Sequence, residues 1–420
     1  MKFLSLTLAS LGLASAASVA NKVSKVSYDG WKVFRVNDGD TAEFQAVVDN
    51  LQLKTWKGRV GHSAVVDVVV PPTQIEAFTS SGLDTKLMHD DLGASIADET
   101  NFPVYASAKD ARAPNATWFN AYHTIADHFQ WLKDLSAAYP ANSEIIVAGK
   151  SLEGRDIQGI HIWGSGGKGS QKGVVWHSTV HAREWITTMV NEYAAYKLLT
   201  ATDTATAAYK DKYDFYIFPL VNPDGFAYTQ STDRLWRKNR QTTTSASCVG
   251  RDINRNWPIQ WAATGGASTS PCAEDYKGAS AGDGVETKVL KAHLDGVAAG
   301  KGVQLYMDIH SYHQLWMYPY GYTCTGTIPE AATYKTLVAG AVAAVKASHG
   351  LTYEPGPICS TIYKVTGDSV DYAYDVAKAK FSMTVEMRDT GNYGFVLPPA
   401  QIVPGVEEMW AGLSYLLANM

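Results

Sequence analysis

The segment Trp176-His177-Ser178-Thr179-Val180-His181-Ala182-Arg183-Glu184-Trp185 carries an imidazole and a carboxylate three residues apart. It follows the apolar run Gly173–Trp176 and precedes a helix-like stretch from Ile186 to Leu199. His181 and Glu184 therefore sit at a strand-to-helix junction, where both can reach one metal ion. Far downstream, the strand-like run Leu305–Ile309 ends in His310. Two histidines and one glutamate form the ligand set of a hydrolytic zinc site, with a fourth position left for water. Such histidines need an acceptor for their second ring N–H. Asp252 is a candidate, and a backbone carbonyl is the alternative. His177 and His313 are read as structural, because three ligands already complete the set.

A hydrolytic metal also needs a base. The run Phe381-Ser382-Met383-Thr384-Val385-Glu386 ends in a carboxylate. Burying that charge is costly unless it is paired or has a task. Glu386 is thus either a general base or the salt-bridge partner of Arg388. The run Asp233–Arg240 contains three arginines and by itself reads as a solvated face. Arg255, between Asn254 and Asn256 and beside Trp257, suits a planar bidentate clamp on a carboxylate. Tyr363 offers a hydroxyl donor, or is an ordinary aromatic.

These residues need rigid elements. Strand-like runs cover 143–147, 156–163, 173–176, 213–219, 303–309 and 381–386. Helix-like runs at 186–199, 285–298, 331–348 and 401–419 are interspersed with them. The alternation predicts an α/β domain, a mixed sheet with helices on both faces. Function in such sheets gathers where strands end, which is where His181, His310 and Glu386 fall. Trp118, Tyr122, Ile125, Phe129 and Leu132 recur at helical spacing and predict one buried stripe. Residues 18 to about 100 read as a small mixed unit, with strands at 31–36, 64–70 and 86–88 and helices at 41–53 and 72–81. Between the two units, Ser107–Asn115 is small and polar and carries Lys109 and Arg112, as a linker or processing site would.

The chain has 420 residues and a formal charge of -5, without a long basic run, which argues against nucleic-acid binding. Met1-Lys2, the apolar stretch Phe3–Leu13 and then Ala14-Ser15-Ala16 predict a secretory signal. No later apolar run is long enough to span a bilayer. The expectation is an exported protein without a membrane anchor. Its four cysteines then read as two disulfides. Three connectivities are open. The expected one is sequential, Cys248 with Cys272 and Cys324 with Cys359, since it closes two moderate loops. Asn115-Ala116-Thr117 is a glycosylation sequon.

Six motifs, in order, now carry a resemblance. They are His181–Ile186 (HAREWI), Val221–Phe226 (VNPDGF), Arg234–Lys238 (RLWRK), Asp252–Trp257 (DINRNW), His310–Tyr312 (HSY) and Glu386–Gly391 (EMRDTG). From about residue 118 onward the chain resembles a secreted zinc metallocarboxypeptidase of the carboxypeptidase A type, made as a zymogen. The resemblance implies a carboxypeptidase-like fold, a mixed eight-stranded-type sheet behind a small α+β prodomain. It implies one zinc ion on His181, Glu184 and His310. Glu386 would be the general base, and Arg237 would steady the oxyanion. Asn254, Arg255 and Tyr363 would hold the substrate's C-terminal carboxylate. Arg183, Ser311 and Tyr312 would line adjacent subsites. Cys248 and Cys272 match the family's common disulfide; the second pair is less general.

The expected division is a signal peptide over 1–16, an activation propeptide over 17–112 and a catalytic domain over 113–420. Cleavage after Arg112, with Lys109 as a near alternative, would activate it. The expected partners are peptide and protein substrates with a free C-terminus and an activating protease, the enzyme itself being a monomer. In the resemblance Val370 sets the base of the specificity pocket, with Ile358, Ile362, Met317, Gly321 and Thr384 around it. That predicts a preference for aromatic or aliphatic C-terminal residues. Asp368 would admit Lys or Arg if it turned into the pocket, but the turn-like Gly367-Asp368-Ser369 predicts a solvated side chain. Two rival functions are an amidase or deacylase on the same fold and a secreted binding protein without activity. The clamp set Asn254, Arg255 and Tyr363 opposes the first. The intact Glu386 and ligand set oppose the second.

Overall fold

In the computed structural model, which describes residues 24–39, 41–61, 63–106 and 114–420, apolar alternation builds two sheets. The predicted signal peptide and both candidate cleavage sites lie outside the described residues. The first sheet comprises β1 (Lys32–Val36), β2 (Lys54–Lys57), β3 (Val66–Val70) and β4 (Thr85–His89), antiparallel throughout in the order β2-β3-β1-β4. Along β3 the faces alternate, as a strand's period of two requires. Val66, Val68 and Val70 join Phe34, Phe44 and Phe78 in the unit's own core. Val69 turns the other way and, with Val33 and Trp56, packs against Leu235, Tyr312 and Phe395 of the larger unit. The helix Ala42–Leu51 starts at Thr41, whose hydroxyl accepts the Phe44 N–H at 3.2 Å.

The second sheet comprises β5 (Ser143–Lys150), β6 (Asp156–Ile162), β7 (Lys172–Ser178), β8 (Tyr213–Phe218), β9 (Val303–His310), β10 (Leu315–Tyr318), β11 (Glu354–Pro357) and β12 (Phe381–Glu386). Its order is β11-β10-β12-β9-β7-β8-β6-β5, and the central run β12, β9, β7, β8 is parallel. Val174, Trp176, Leu305 and Met307 share a core with helices Trp185–Thr200, Ala331–His349 and Ile402–Asn419. Val175 and Tyr306, one residue out of phase, meet Leu290, Leu294 and Val370 from helices Val285–Ala299 and Ser369–Asp375. This is the expected mixed eight-stranded sheet with helices on both faces, preceded by a small α+β unit.

Two expectations need correction. The aromatic stripe is not one helix: Trp118 lies in a 3-10 turn over Ala116–Asn120, and the helix Ile125–Ala138 begins only at Thr124, whose hydroxyl accepts the Asp127 N–H. That helix buries His128, Trp131, Leu132 and Leu135, while Phe129 is half-buried. Strands β2, β10 and β11 and helix Leu92–Glu99 escaped the sequence pattern. The three strands have four residues each, too few to show a period. Disulfides join Cys248 to Cys272 and Cys324 to Cys359. Asn115 is exposed and accepts the Thr117 N–H at 2.9 Å. Among the described residues no helix is long and apolar enough to cross a membrane.

Candidate active site

The C-terminal ends of the central parallel strands converge on one cavity. His181 follows β7 through Thr179, which adopts a left-handed φ of 56°. Glu184 sits immediately before helix Trp185–Thr200, and His310 is the last residue of β9. Glu386 ends β12 and stands in register with His310 on the neighbouring parallel strand.

His181 Nδ1 lies 2.8 Å from Glu184 Oε1 and 3.1 Å from His310 Nδ1, and His310 Nδ1 lies 3.1 Å from Glu184 Oε2. Each ring's far nitrogen faces a buried carboxylate: His181 Nε2 meets Asp252 Oδ1 at 3.1 Å, and His310 Nε2 meets Asp308 Oδ2 at 3.2 Å. Asp252 holds the His181 ring proton at Nε2 and turns its Nδ1 lone pair toward Glu184, while His310 Nε2 also lies 3.3 Å from Asn254 Nδ2. Three such donors, all buried, are unfavourable together unless a cation lies among them. Two imidazoles, one carboxylate and no thiol fit a zinc ion with an open position. Burial alone would raise the Glu184 carboxyl, but the two imidazoles override it and hold it below the usual range. Asp252 behaves alike: Arg237, His181 and Arg255 outweigh its burial and keep it well below the ordinary value.

Asp252 organises the neighbouring face. It caps the short turn Ile253–Arg255 by accepting the Asn254 N–H at 2.9 Å. Its other oxygen receives Arg237 Nη2 at 2.7 Å and Nε at 3.2 Å. Arg255 is buried, donates Nη1 to the Asn254 carbonyl at 2.8 Å, and leaves Nε without a hydrogen-bond partner. Asn254 Oδ1 accepts the Ser369 N–H, which ties this turn to helix Ser369–Asp375.

The cavity measures about 680 Å³, and its walls include His181, Glu184, His310, Arg183, Arg237, Asn254, Arg255, Ser311, Tyr363, Val370 and Glu386. Met317, Ile358, Ile362 and Thr384 also line it. Tyr312 and Gly321 do not. Tyr312 is fully buried beneath the small unit, donating its hydroxyl to Asp67 Oδ2 at 2.6 Å. Gly321 backs the pocket instead, its N–H donating to Asp371 at 2.9 Å.

Two sequence readings fail here. Asp368 is not a solvated turn residue. It is buried in the cavity wall, Oδ1 capping helix Ser369–Asp375 through the Asp371 N–H while Oδ2 has no hydrogen-bond partner. The salt-bridge alternative for Glu386 also fails, because Arg388 pairs with Glu408. Asp308 was not foreseen; its only sequence signal is a carboxylate two residues before a candidate ligand. Lys57 was also missed. It reaches the cavity from the small unit, and its position near Glu386 has no local sequence signal.

Residues 128–412 match the family described as zinc carboxypeptidase, and residues 31–99 match the one described as carboxypeptidase activation peptide. The chain is similar to metallocarboxypeptidase A of Trichophyton rubrum, with 48% identity over 411 residues and 96% of each chain covered. It is also similar to carboxypeptidase A1 of Bos taurus, with 36% identity over 409 residues, 94% of this chain and 95% of that one. Among solved structures, thrombin activatable fibrinolysis inhibitor superposes with a TM-score of 0.83 at 25% identity, covering 92% of this chain and 98% of that one. Carboxypeptidase A from Helicoverpa armigera gives a TM-score of 0.78 at 27% identity, covering 93% and 98%.

Proposed function

This chain belongs to the zinc carboxypeptidase family, and from that premise we propose how its own residues hydrolyse the last peptide bond of a substrate. It is a peptide-bond hydrolase with a zinc cofactor, preceded by an activation peptide. His181, Glu184 and His310 would hold the ion. When bound, zinc supplies Lewis-acid polarisation of the scissile carbonyl and a more acidic water.

Glu386 takes a proton from the attacking water and delivers it to the leaving amine. Its position beside His310 at a strand end supports that role. Arg237, oriented by Asp252, donates to the oxyanion as charge develops there. Arg255, with Asn254 and Tyr363, receives the substrate's terminal carboxylate. Only a chain end carries that charge next to the scissile bond, so the clamp makes the enzyme an exopeptidase. Arg183 and Ser311 serve upstream residues of the substrate, joined by Tyr312 once the small unit that buries it has left. The observation that carries this reading is Arg255: a buried guanidinium whose Nε lacks a partner, in the same cavity as the metal cluster and Glu386.

The side chain removed is aromatic or aliphatic. Val370, Met317, Ile358 and Thr384 offer it an apolar wall, and burying such a side chain is worth roughly 1.5–3 kcal/mol. A second reading adds C-terminal Lys or Arg, which the unpartnered Asp368 Oδ2 favours. Burial raises the Asp368 carboxyl, and burial followed by the Asp368 charge raises Asp371 further. A carboxyl inclined to stay neutral is a poor anchor for a cation, so the apolar preference leads.

The protein acts as an exported monomer, with a propeptide over 17–112 removed by a cut after Arg112 to leave 113–420. The test uses the processed enzyme on blocked dipeptides ending in Phe, Leu, Lys or Arg, with free or amidated C-termini, with and without a chelator. Chelator-sensitive hydrolysis confined to free C-termini, fastest for Phe and Leu, is expected. Equal rates on amidated substrates would overturn the clamp. Faster removal of Lys or Arg, lost in Asp368→Gly, would select the second reading.

A further inference from the structure

The activation peptide does more than rest on the enzyme. Residues 53–60 form part of the cavity wall. The Trp56 carbonyl accepts a hydrogen bond from Arg183 Nη2 at 3.3 Å, as a substrate carbonyl would, and the Trp56 ring packs 5.2 Å from Phe395. On one side Arg59 pairs with Asp275 at 3.1 Å and donates to the Gly265 carbonyl at 2.9 Å. On the other, Asp67 holds both Arg35 and the Tyr312 hydroxyl. Between these anchors Lys57 extends inward. Its Nζ donates to the Tyr312 carbonyl at 2.5 Å and lies 3.2 Å from Glu386 Oε2. That oxygen is buried and has no aligned hydrogen bond of its own, so the contact is an ion pair of charges facing one another.

Docking does not need this lysine. Trp56, Arg59, Asp67 and the Val33, Val69 and Leu92 contacts already seat the small unit. An ammonium 3.2 Å from Oε2 instead stands in the approach that water needs to reach the base. We propose that Lys57 is an intramolecular inhibitor that keeps the zymogen latent by pairing with Glu386. Strand β2, carrying it, is a built-in competitor of peptide substrate. The inference rests on the reading of Glu386 as base. Covering by the small unit and pairing by Lys57 make separable contributions. The cavity of about 680 Å³ persists with the small unit in place, within the size range of small-ligand sites. A dipeptide therefore has room in the intact zymogen, and what it lacks is a competent base. A long peptide is excluded by the β2 segment in any case.

The experiment uses the full chain, verified intact by mass spectrometry, as wild type, Lys57→Met and Lys57→Arg. Hydrolysis of a blocked dipeptide ending in Phe should rise about 10-fold or more in uncleaved Lys57→Met, part of the roughly 10²–10⁴ that a positioned base contributes. Lys57→Arg should stay latent, and a long peptide should be refused by all three. After cleavage and removal of the propeptide, all three should share one rate, because residue 57 has left. An uncleaved Lys57→Met no faster than wild type, with full activity after cleavage, overturns the proposal. A second readout does not use activity: a double-mutant cycle of Lys57→Met and Glu386→Gln on thermal unfolding of the intact zymogen. Non-additive shifts support the pair, and additive shifts overturn it. If cleaved wild type hydrolyses nothing, the function reading fails, and the cycle alone decides whether Lys57 holds Glu386.

Discussion

The two sheets of this molecule dispose of their faces differently. The eight-stranded sheet covers both faces with helices of its own domain. The four-stranded sheet covers one face with its own helices and presses the other, through Val33, Trp56 and Val69, onto Leu235, Tyr312 and Phe395. A sheet buried on both sides by its own chain is complete when isolated. A sheet that borrows half its cover exposes Val33, Trp56 and Val69 on undocking, whereas its other face keeps a core of its own.

If the catalytic region is complete in itself, its chemistry depends on its own residues alone. Glu386→Gln in the processed enzyme should cut kcat by roughly 10²–10⁴ while zinc content, read by atomic absorption, stays stoichiometric. Near wild-type turnover would remove the base assignment.

The next effect separates the two cores. Phe215 and Phe44 are each fully buried, one in each sheet's core. Either substitution by Ala should cost about 3–5 kcal/mol locally. In calorimetry of the intact zymogen, Phe215→Ala should lower the main transition, and Phe44→Ala should leave it in place while loosening the activation peptide. Equal shifts would mean one cooperative unit, and the comparison would fail.

Acid sharpens the contrast further. Burial pushes His177 down to about 4 and His123 and His293 to about 3, all in the catalytic domain. Their folded values lie below the ordinary 6.5, so the unfolded chain takes up protons first as pH falls. The stability these groups confer is present above about 6.5 and lost as pH drops toward 4, at about 1.4 kcal/mol per unit for each group. The processed enzyme should thus melt well below its pH 7 midpoint when scanned at pH 5. A flat midpoint across that range would contradict burial of neutral imidazoles.

The smallest effect is a cap. Thr41→Ala should weaken helix Ala42–Leu51 by about 1 kcal/mol, seen as faster amide exchange there, with no change in the eight-stranded sheet.

The same contrast explains what could be read from the chain. His181 and Glu184 share one junction, and His310 and Glu386 end apolar strands, so local spacing and strand ends announced the metal cluster and its neighbour. The long helices and central strands showed their periods. Asp368 misled because turn composition and helix capping use the same residue types, and only packing buries the carboxylate. Lys57 could not be found at all. It ends a four-residue strand, between Trp56 and Gly58, and Glu386 lies more than three hundred residues away in the chain. Contacts made by the departing unit depend on how two surfaces dock, and no period within either records it.

The pairing of Glu386 with His310 across β12 and β9 has a consequence for tolerance to change. The backbone ladder acts as a ruler between proton acceptor and ion. Inserting or deleting a single residue upstream in β12 would flip every following side chain to the opposite layer and send this carboxylate into the hydrophobic interior. Such an indel can leave most of the sheet paired while abolishing turnover. The strand can therefore accept exchanges of its apolar residues far more readily than any alteration of its length.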